Sequence, residues 1–285
     1  MVALLQGIPQ IPVDKWVNSA VGWIIGNFGD FFDILNSVIE GIVNSLAFLL
    51  GAPPALVMIA VFTVITFFLT GWRMAVFTVV GLLLVLSLGL WSETMLTLSL
   101  ILVATVICLL IGIPIGIAAA KVRGLEEGIR PVLDLMQTMP AFVYLVPFVA
   151  LLGLGASPAL IATVIFATPP AVRLTMLGIQ QVPKETVEAA HAFGSTSWQT
   201  LSKVELPLSL DSIRAGVNQV IMLSLSMVVI AGRVGFGGLG NIVVQGLNEL
   251  NVGLAFEGGI GIVVLAIILD RVTRGIGGGS RAKKA

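Results

Sequence analysis

Two stretches of this chain run without charge further than a loop or a soluble helix needs. Thr94–Ala120 spans 27 residues and Leu135–Val172 spans 38, with no Lys, Arg, Asp or Glu in either. At 1.5 Å rise per residue, about 20 apolar residues cross the ~30 Å hydrocarbon core of a bilayer. Backbone polar groups at that depth must bond within the chain, which favours helices over open strands. The fold class that follows is an all-α polytopic membrane protein. Over the whole chain 11% of residues are charged, under half the ~25% of a soluble domain. The formal net charge of zero implies no nucleic-acid partner. The single cysteine, Cys108, excludes an intrachain disulfide. Residues 1–13 read as a loose tail broken by Pro9 and Pro12. They lack the basic start and cleavage site of a signal peptide.

Seven spans are expected. They are Ala52–Leu69, Met74–Trp91, Thr94–Ala120, two within Leu135–Val172 that turn at Gly153, Gly155 and Pro158, Ala215–Gly232, and Val252–Leu269. Ahead of them, apolar residues at 17, 21, 24, 28, 31, 35, 38, 42 and 46 form a helical stripe. Asn18, Asn27, Asp30, Asp33, Asn36, Ser37, Glu40 and Asn44 occupy the other face. Such a segment lies on the membrane surface or packs on neighbours without crossing. Gly22, Gly26 and Gly29 invite a break in it. The chain therefore divides into an N-terminal tail and amphipathic region (1–51), two peripheral spans (52–91), a core (92–275) and a basic cytoplasmic tail (276–285). Trp16, Trp72 and Trp91 fall at the membrane borders.

Basic residues set the orientation. With the polar loop 184–207 in the cytoplasm, seven spans put the N-terminus outside and the C-terminus inside. Arg73, Lys121, Arg123, Arg130, Arg173, Lys184, Lys203, Arg214, Arg271, Arg274, Arg281, Lys283 and Lys284 are then cytoplasmic. Only Lys15 and Arg233 lie outside, where Asp14, Asp30, Asp33, Glu40, Glu93, Glu249 and Glu257 collect.

The spans hold no carboxylate or His suited to a proton relay, which argues against a gradient-driven transporter. Asp134, near the cytoplasmic end of the fourth span, is expected to pair with a basic neighbour such as Arg130. No Gly-Lys-Ser or Gly-Lys-Thr occurs, so the chain lacks a phosphate-binding loop of its own. Nor do the spans show a Ser–His, Asp–Asp or His–Glu constellation, and the isolated His191 suits neither a metal nor catalysis. A non-catalytic chain with no metal and no bound cofactor is expected.

Helix-weakening residues mark a candidate pathway. Pro140 and Pro147 bracket Tyr144, the only tyrosine, in the fourth span, and Gly112, Pro114 and Gly116 interrupt the third. The fifth span is expected to end near Pro169-Pro170. Such sites suit a wall that bends during alternating access, or plain packing kinks. Asn218, Ser224 and Ser226 add polar groups to the sixth span, beside Met222 and Met227. Gly235-x-Gly237-Gly238-x-Gly240 formally matches a dinucleotide fingerprint, but no strand precedes it. A flexible outer turn, and a candidate outer gate at Gly237, Gly238 and Gly240, is the better reading.

The polar island from Glu188 to Pro207 is the most informative stretch. Gly194 divides it into two short amphipathic pieces, and Pro207 stops the second. Its order is Glu188-Ala189-Ala190, three residues, Gly194, nine residues, Val204, one residue, Leu206-Pro207. This resembles the EAA loop of ABC importer permeases at every fixed position, with Val204 where Ile is usual. Gln137–Pro147, Gly216–Gln219, Leu225–Ile230, Gly237–Gly240 and Leu265–Arg271 are similar to the glycine betaine/proline betaine branch of that family, which also serves choline and carnitine. The likeness covers about residues 75–275.

The resemblance implies a type I ABC importer transmembrane fold with five core helices in a prokaryotic cell (inner) membrane. It implies a permease subunit for osmoprotection, importing a compatible solute such as glycine betaine or proline betaine. The coupling loop would seat in a cytoplasmic ATPase that binds the ATP and Mg. A second copy as homodimer, a separate extracytoplasmic substrate-binding protein and membrane lipids are the further partners implied. Since the chain ends soon after the last span, that receptor is expected on another chain. Alternatives are a permease for choline, carnitine, an amino acid or another small solute, and an ATP-independent osmolyte channel.

Overall fold

The computed structural model describes residues 12–122 and 124–278. The expected loose tail and basic tail lie outside the described residues except at their inner ends, as do Arg123, Arg281, Lys283 and Lys284. Every element described is helical: α1 (Val13–Gly51), α2 (Ala55–Thr70), α3 (Trp72–Ser87), α4 (Trp91–Lys121), α5 (Leu125–Thr138), α6 (Ala141–Leu152), α7 (Ala156–Gln180), α8 (Lys184–Ala192), α9 (Ser197–Thr200), a π turn (Leu201–Glu205), α10 (Leu206–Arg233), α11 (Gly238–Asn248) and α12 (Val252–Gly278).

Among the described residues, five helices are long and apolar enough to cross a membrane: α1, α4, α7, the continuous α9–α10 unit and α12. A sixth appears if α5 and α6 count as one span broken by an 89° bend. The apolar helices α2 and α3, at 16 residues each, are shorter. Length and composition therefore do not return the expected seven.

Helix α7 lies at the centre, packed between α4 and α10. The close approach follows from small residues. A methyl group on Gly112 would lie 2.5 Å from Ala171 Cβ, and one on Gly116 would lie 2.6 Å from the Val172 carbonyl oxygen. This small-xxx-small pair brings the α4 and α7 backbones together. These two glycines thus serve packing, and α4 runs unbroken through Pro114 to Lys121. Ala159, Ala162, Ala167 and Ala171 line the buried face of α7. A second core region joins α2, α3 and α12 to α4, α10 and α11 around Leu82, Leu98, Leu225, Leu239 and Leu265.

Several span boundaries move. Helix α3 ends at Ser87, and Trp91 starts α4 instead of closing the second span. The turn before α7 does fall at Gly153–Gly155, whereas Pro158 sits inside the first turn of α7. Pro169 and Pro170 do not end α7, which continues to Gln180. Two missing N–H donors weaken a helix, but both prolines are buried between neighbouring helices that hold the axis.

Helix α1 kinks at Phe28 (φ −126°, ψ 18°), between Gly26 and Gly29 as expected. The face it buries differs from the expected stripe. Val17, Phe28, Phe31, Val38 and Ile42 are exposed, while Ile39 and Val43 are buried against α4, α6 and α7. Asn36 and Glu40 turn inward to the start of α7. Ser157 Oγ donates to the Asn36 carbonyl at 3.3 Å, and Glu40 Oε1 crowds the position a Cβ would take on Gly155. A carboxylate there meets the positive end of the α7 dipole. The stripe is thus divided: Leu35 and Leu46 pack half-buried against the core beside Ile39 and Val43, while Val17, Phe28, Phe31, Val38 and Ile42 face outward.

Candidate functional site

The loop between α7 and α10 is built by two interlocking caps. Pro183 starts α8, with its carbonyl accepting from the N–H groups of Thr186 (3.1 Å) and Val187 (3.3 Å). At the far end Gly194 adopts φ +82°, open to glycine at no steric cost. Its N–H reaches the His191 carbonyl at 2.9 Å, and the Ser195 N–H reaches the Ala190 carbonyl at 3.1 Å. This is a Schellman closure. Thr196 then opens α9 with a capping box. Its Oγ1 accepts from the Gln199 N–H at 3.3 Å, and its own N–H donates to Gln199 Oε1 at 2.9 Å. His191 Nδ1 lies 3.2 Å from the Ser195 carbonyl oxygen, a second local tie across the turn.

The turn is thus closed by bonds within the loop, some of them to the Thr196, Gln199 and His191 side chains, and most of the other side chains face outward. Helix α8 buries no residue. Glu188, Ala189, Gly194 and Pro207 are exposed, and Ala190, Val204 and Leu206 are half-buried. Phe193 is 91% exposed and Trp198 is 72% exposed. Two large apolar side chains held outward by a rigid turn form a surface suited to fill pockets on another macromolecule.

Behind the loop the π turn takes up the strain of Pro207, which cannot donate a backbone hydrogen bond. It carries Glu205, whose side chain is 5% exposed and pairs with Lys121 at the end of α4. Lys121 Nζ donates to Glu205 Oε1 at 2.5 Å. Both border a cleft of about 260 Å³ that also touches Gln180, Lys184, Val187 and Glu188. The pair fastens the loop's exit to α4. Sequence reasoning assigned Glu205 no role. The signals were a carboxylate directly before Leu206-Pro207 and a lysine closing a long apolar run. The Thr-x-x-Gln box at Thr196 was legible and also passed over.

Helix α5 lies against the same end of α7. Arg173 donates to Asp134 at 2.5 Å and to Gln137 at 3.1 Å, so Asp134 pairs with Arg173 and not with the expected Arg130. Arg130 pairs instead with Glu126 one turn earlier, which also accepts from Gln180 Nε2 at 2.7 Å. The Gln180 amide, with Arg130 beside it, holds the Glu126 carboxyl below its ordinary range.

The pathway candidates do not converge. Pro140 caps α6 at the 89° bend and Pro147 lies within α6, both exposed. Tyr144, between them, is buried. Its hydroxyl lies 2.7 Å from the Met136 carbonyl and 3.0 Å from that of Leu135, so it bonds the last turn of α5 across the bend. Asn218, Met222 and Ser226 share one face of α10. Asn218 Nδ2 lies 3.9 Å from Met222 Sδ, and Ser226 Oγ donates to the Met222 carbonyl at 3.0 Å. Ser224 points into the bundle and is buried.

Gly237, Gly238 and Gly240 do not form a loose turn. Gly238 and Gly240 are buried at the start of α11, and the Leu239 N–H donates to Thr97 Oγ1 at 2.8 Å. A methyl on Gly240 would collide with the Val228 carbonyl of α10. Among the described residues no cluster of three or more His, Cys, Asp or Glu stands close enough to hold a metal ion.

Comparison with known proteins places this geometry. Residues 112–277 match the family model described as binding-protein-dependent transport system inner membrane component. The glycine betaine/proline betaine transport system permease protein ProW of Escherichia coli (strain K12) is 47% identical over 273 residues, 96% of this chain and 77% of that protein. The glycine betaine/carnitine transport permease protein GbuB of Listeria monocytogenes serotype 1/2a is 45% identical, covering 95% of this chain and 97% of that one. The similarity thus reaches into the N-terminal region, beyond the 75–275 expected. Inward-facing structures of the MetNI methionine ABC transporter share the fold. One has a TM-score of 0.59 at 23% identity over 66% of this chain and 95% of that one. Another has a TM-score of 0.56 at 24% identity over 63% of this chain and 92% of that one.

Proposed function

Because this chain belongs to the family of binding-protein-dependent transport system inner membrane components, we propose that it is the permease subunit of an ATP-driven importer for a compatible solute of the glycine betaine or proline betaine type. The observation that carries the substrate class is the 47% identity to a glycine betaine/proline betaine permease along 96% of the chain. The chain is a multi-pass inner membrane protein, and ATP hydrolysis belongs to a partner. In this reading residues 92–275 form the core, 52–91 are peripheral, and the N-terminus lies outside with the C-terminus in the cytoplasm.

The coupling loop of Glu188, Ala189, Ala190, Gly194, Val204, Leu206 and Pro207 docks on the ATPase, with Phe193 and Trp198 as anchors. When two ATPase subunits close on ATP and Mg, the rigid caps pass the displacement on as a unit. It enters α7 through Pro183, α10 through the π turn and α4 through the Lys121–Glu205 pair. Arg173 and Gln180 couple α7 to α5, and Tyr144 carries that movement across the bend into α6. The face of Asn218 and Ser226 turns to the pathway or to a second copy of the chain. An extracytoplasmic receptor delivers the solute near α11, whose packed glycine turn moves with α10.

The deciding experiment is uptake of labelled glycine betaine into vesicles holding this chain, its ATPase and its receptor. Uptake requiring both ATP and receptor is expected. Uptake without ATP would replace the proposal by a channel. ATPase activity stimulated only by a receptor loaded with another solute would keep the machine and discard the substrate.

A further inference from the structure

A cavity of about 180 Å³ lies between the α2–α3 pair and the bundle, with Phe62, Ile65, Leu82, Leu98, Leu265 and Ile268 among its walls. Thr66 is the one polar residue lining it, and its hydroxyl donates to the Thr63 carbonyl at 2.9 Å. No polar group is left for water. A buried water needs two to four partners, whereas an apolar void of roughly 150 Å³ stays dry and takes up a small hydrocarbon.

The void cannot close by relaxation. A methyl on Gly81 would lie 2.8 Å from Val264 Cγ1, and one on Gly275 would lie 2.5 Å from the Leu69 carbonyl oxygen. These contacts draw α12 onto α3 beside Leu82 and Leu265, and onto α2 three residues beyond Thr66 and Val272. Helix α12 is therefore already at contact on either side of the cavity. An unfilled space of this size leaves its walls without dispersion partners.

The opening points to the occupant. Ile65 is the most exposed lining residue, at 41%, and it shares a flank of α2 with exposed Val61, Val64 and Phe68. That flank is wholly apolar in a helix without charge. In a membrane its surroundings are acyl chains. We propose that this cavity binds the end of a single hydrocarbon chain of a membrane lipid, entering past Ile65 and wedging between α2 and α12.

The test places the full-length chain in nanodiscs of phosphatidylcholine with a photoreactive diazirine near the methyl end of one acyl chain. Leu98, Leu265 and Ile268 are at most 5% exposed, beyond reach of a chain that stays in the bulk bilayer. Labelling of these residues within threefold of that at Phe68 is expected. Labelling at Phe68 with the three buried residues at least tenfold lower would overturn the proposal. Leu98→Trp fills the void and should cut labelling at Leu265 and Ile268 at least fivefold while Phe68 is unchanged. Because overfilling strains a fold, Ile65→Trp at the half-open mouth is the second variant and should give the same loss. Undiminished labelling in both variants would also overturn it. So would efficient Ile65→Cys cross-links between copies with the buried residues unlabelled, since a second copy would then cover the mouth.

Discussion

Gly194 and Gly240 look alike in the sequence, each expected in a turn between helices, yet Gly240 lies inside the first turn of α11 and the two answer to different physics. Around Gly194 a Cβ would meet open space, and only its φ of +82° asks for glycine. Around Gly240 the same Cβ would enter the Val228 carbonyl of the crossing helix. The turn at Gly194 is held by its own hydrogen bonds, a few of them to the Thr196, Gln199 and His191 side chains, and leaves Phe193 and Trp198 facing outward. At Gly240 the backbones of α10 and α11 are in contact and leave no room for a side chain. A turn closed mainly by local bonds can hold large apolar side chains outward, whereas a helix crossing in a membrane gains most from close packing.

Substitutions can break this contrast. Gly240→Ala should have the largest effect, because fixed backbone cannot yield. We expect a cost of about 3 kcal/mol and loss of monodisperse protein after detergent extraction. Recovery with unchanged thermal unfolding would show that α10 and α11 part easily. Lys121→Met comes next. It leaves Glu205 buried without its cation, at a cost of roughly 3 kcal/mol, whereas Glu205→Gln should cost less because the half-exposed Lys121 can turn to solvent. Equal losses for the two, measured by thermal unfolding, would count against the buried carboxylate as the costly partner.

Gly194→Ala should cost only about 1–2 kcal/mol of left-handed strain and leave assembly with the ATPase intact. Gly194→Pro fixes φ near −65° and removes the N–H that closes on His191. ATP hydrolysis should then continue without uptake, and uptake at the wild-type rate would count against rigid coupling through this turn. The smallest effect on folding is expected from Phe193→Ser, since the ring is 91% exposed. Its unfolding temperature should not move, while co-purification of the ATPase drops at least tenfold. Retained stoichiometric binding would remove Phe193 from the docking surface.

Much of the site was legible in the sequence because local rules govern it. Pro183, Gly194 and the Thr196–Gln199 spacing each dictate a start or a stop within a few residues, whereas Pro207 stops nothing: it sits in the first turn of α10, and the helix from Ser197 runs through it to Arg233. The kink at Phe28 between Gly26 and Gly29 was legible for the same reason. Tyr144 was not. Standing between two prolines it resembled a pathway residue, but the 89° bend brings the α5 carbonyls within reach of its hydroxyl. The partner of Asp134 was misjudged likewise. Arg130 is four residues away on the same helix, yet α7 brings Arg173 to a better position.

The sequence alone determined that this chain lives in a membrane as a set of helices, and it contained the polar loop whose pattern resembles that of the family. Charge-free runs of span length admit no other medium, and capping residues act over a few positions. Only the tertiary structure decided which faces turn inward. In a membrane both the protein and its surroundings are apolar, so hydrophobic periodicity no longer points to the core. The inner face of α1 is Leu35, Ile39, Val43 and Leu46, with Asn36 and Glu40 beside the start of α7, while equally apolar residues of the same helix face outward. The roles of Gly112, Gly116 and Gly240, and the Lys121–Glu205 pair, were settled by contacts between residues far apart in the chain.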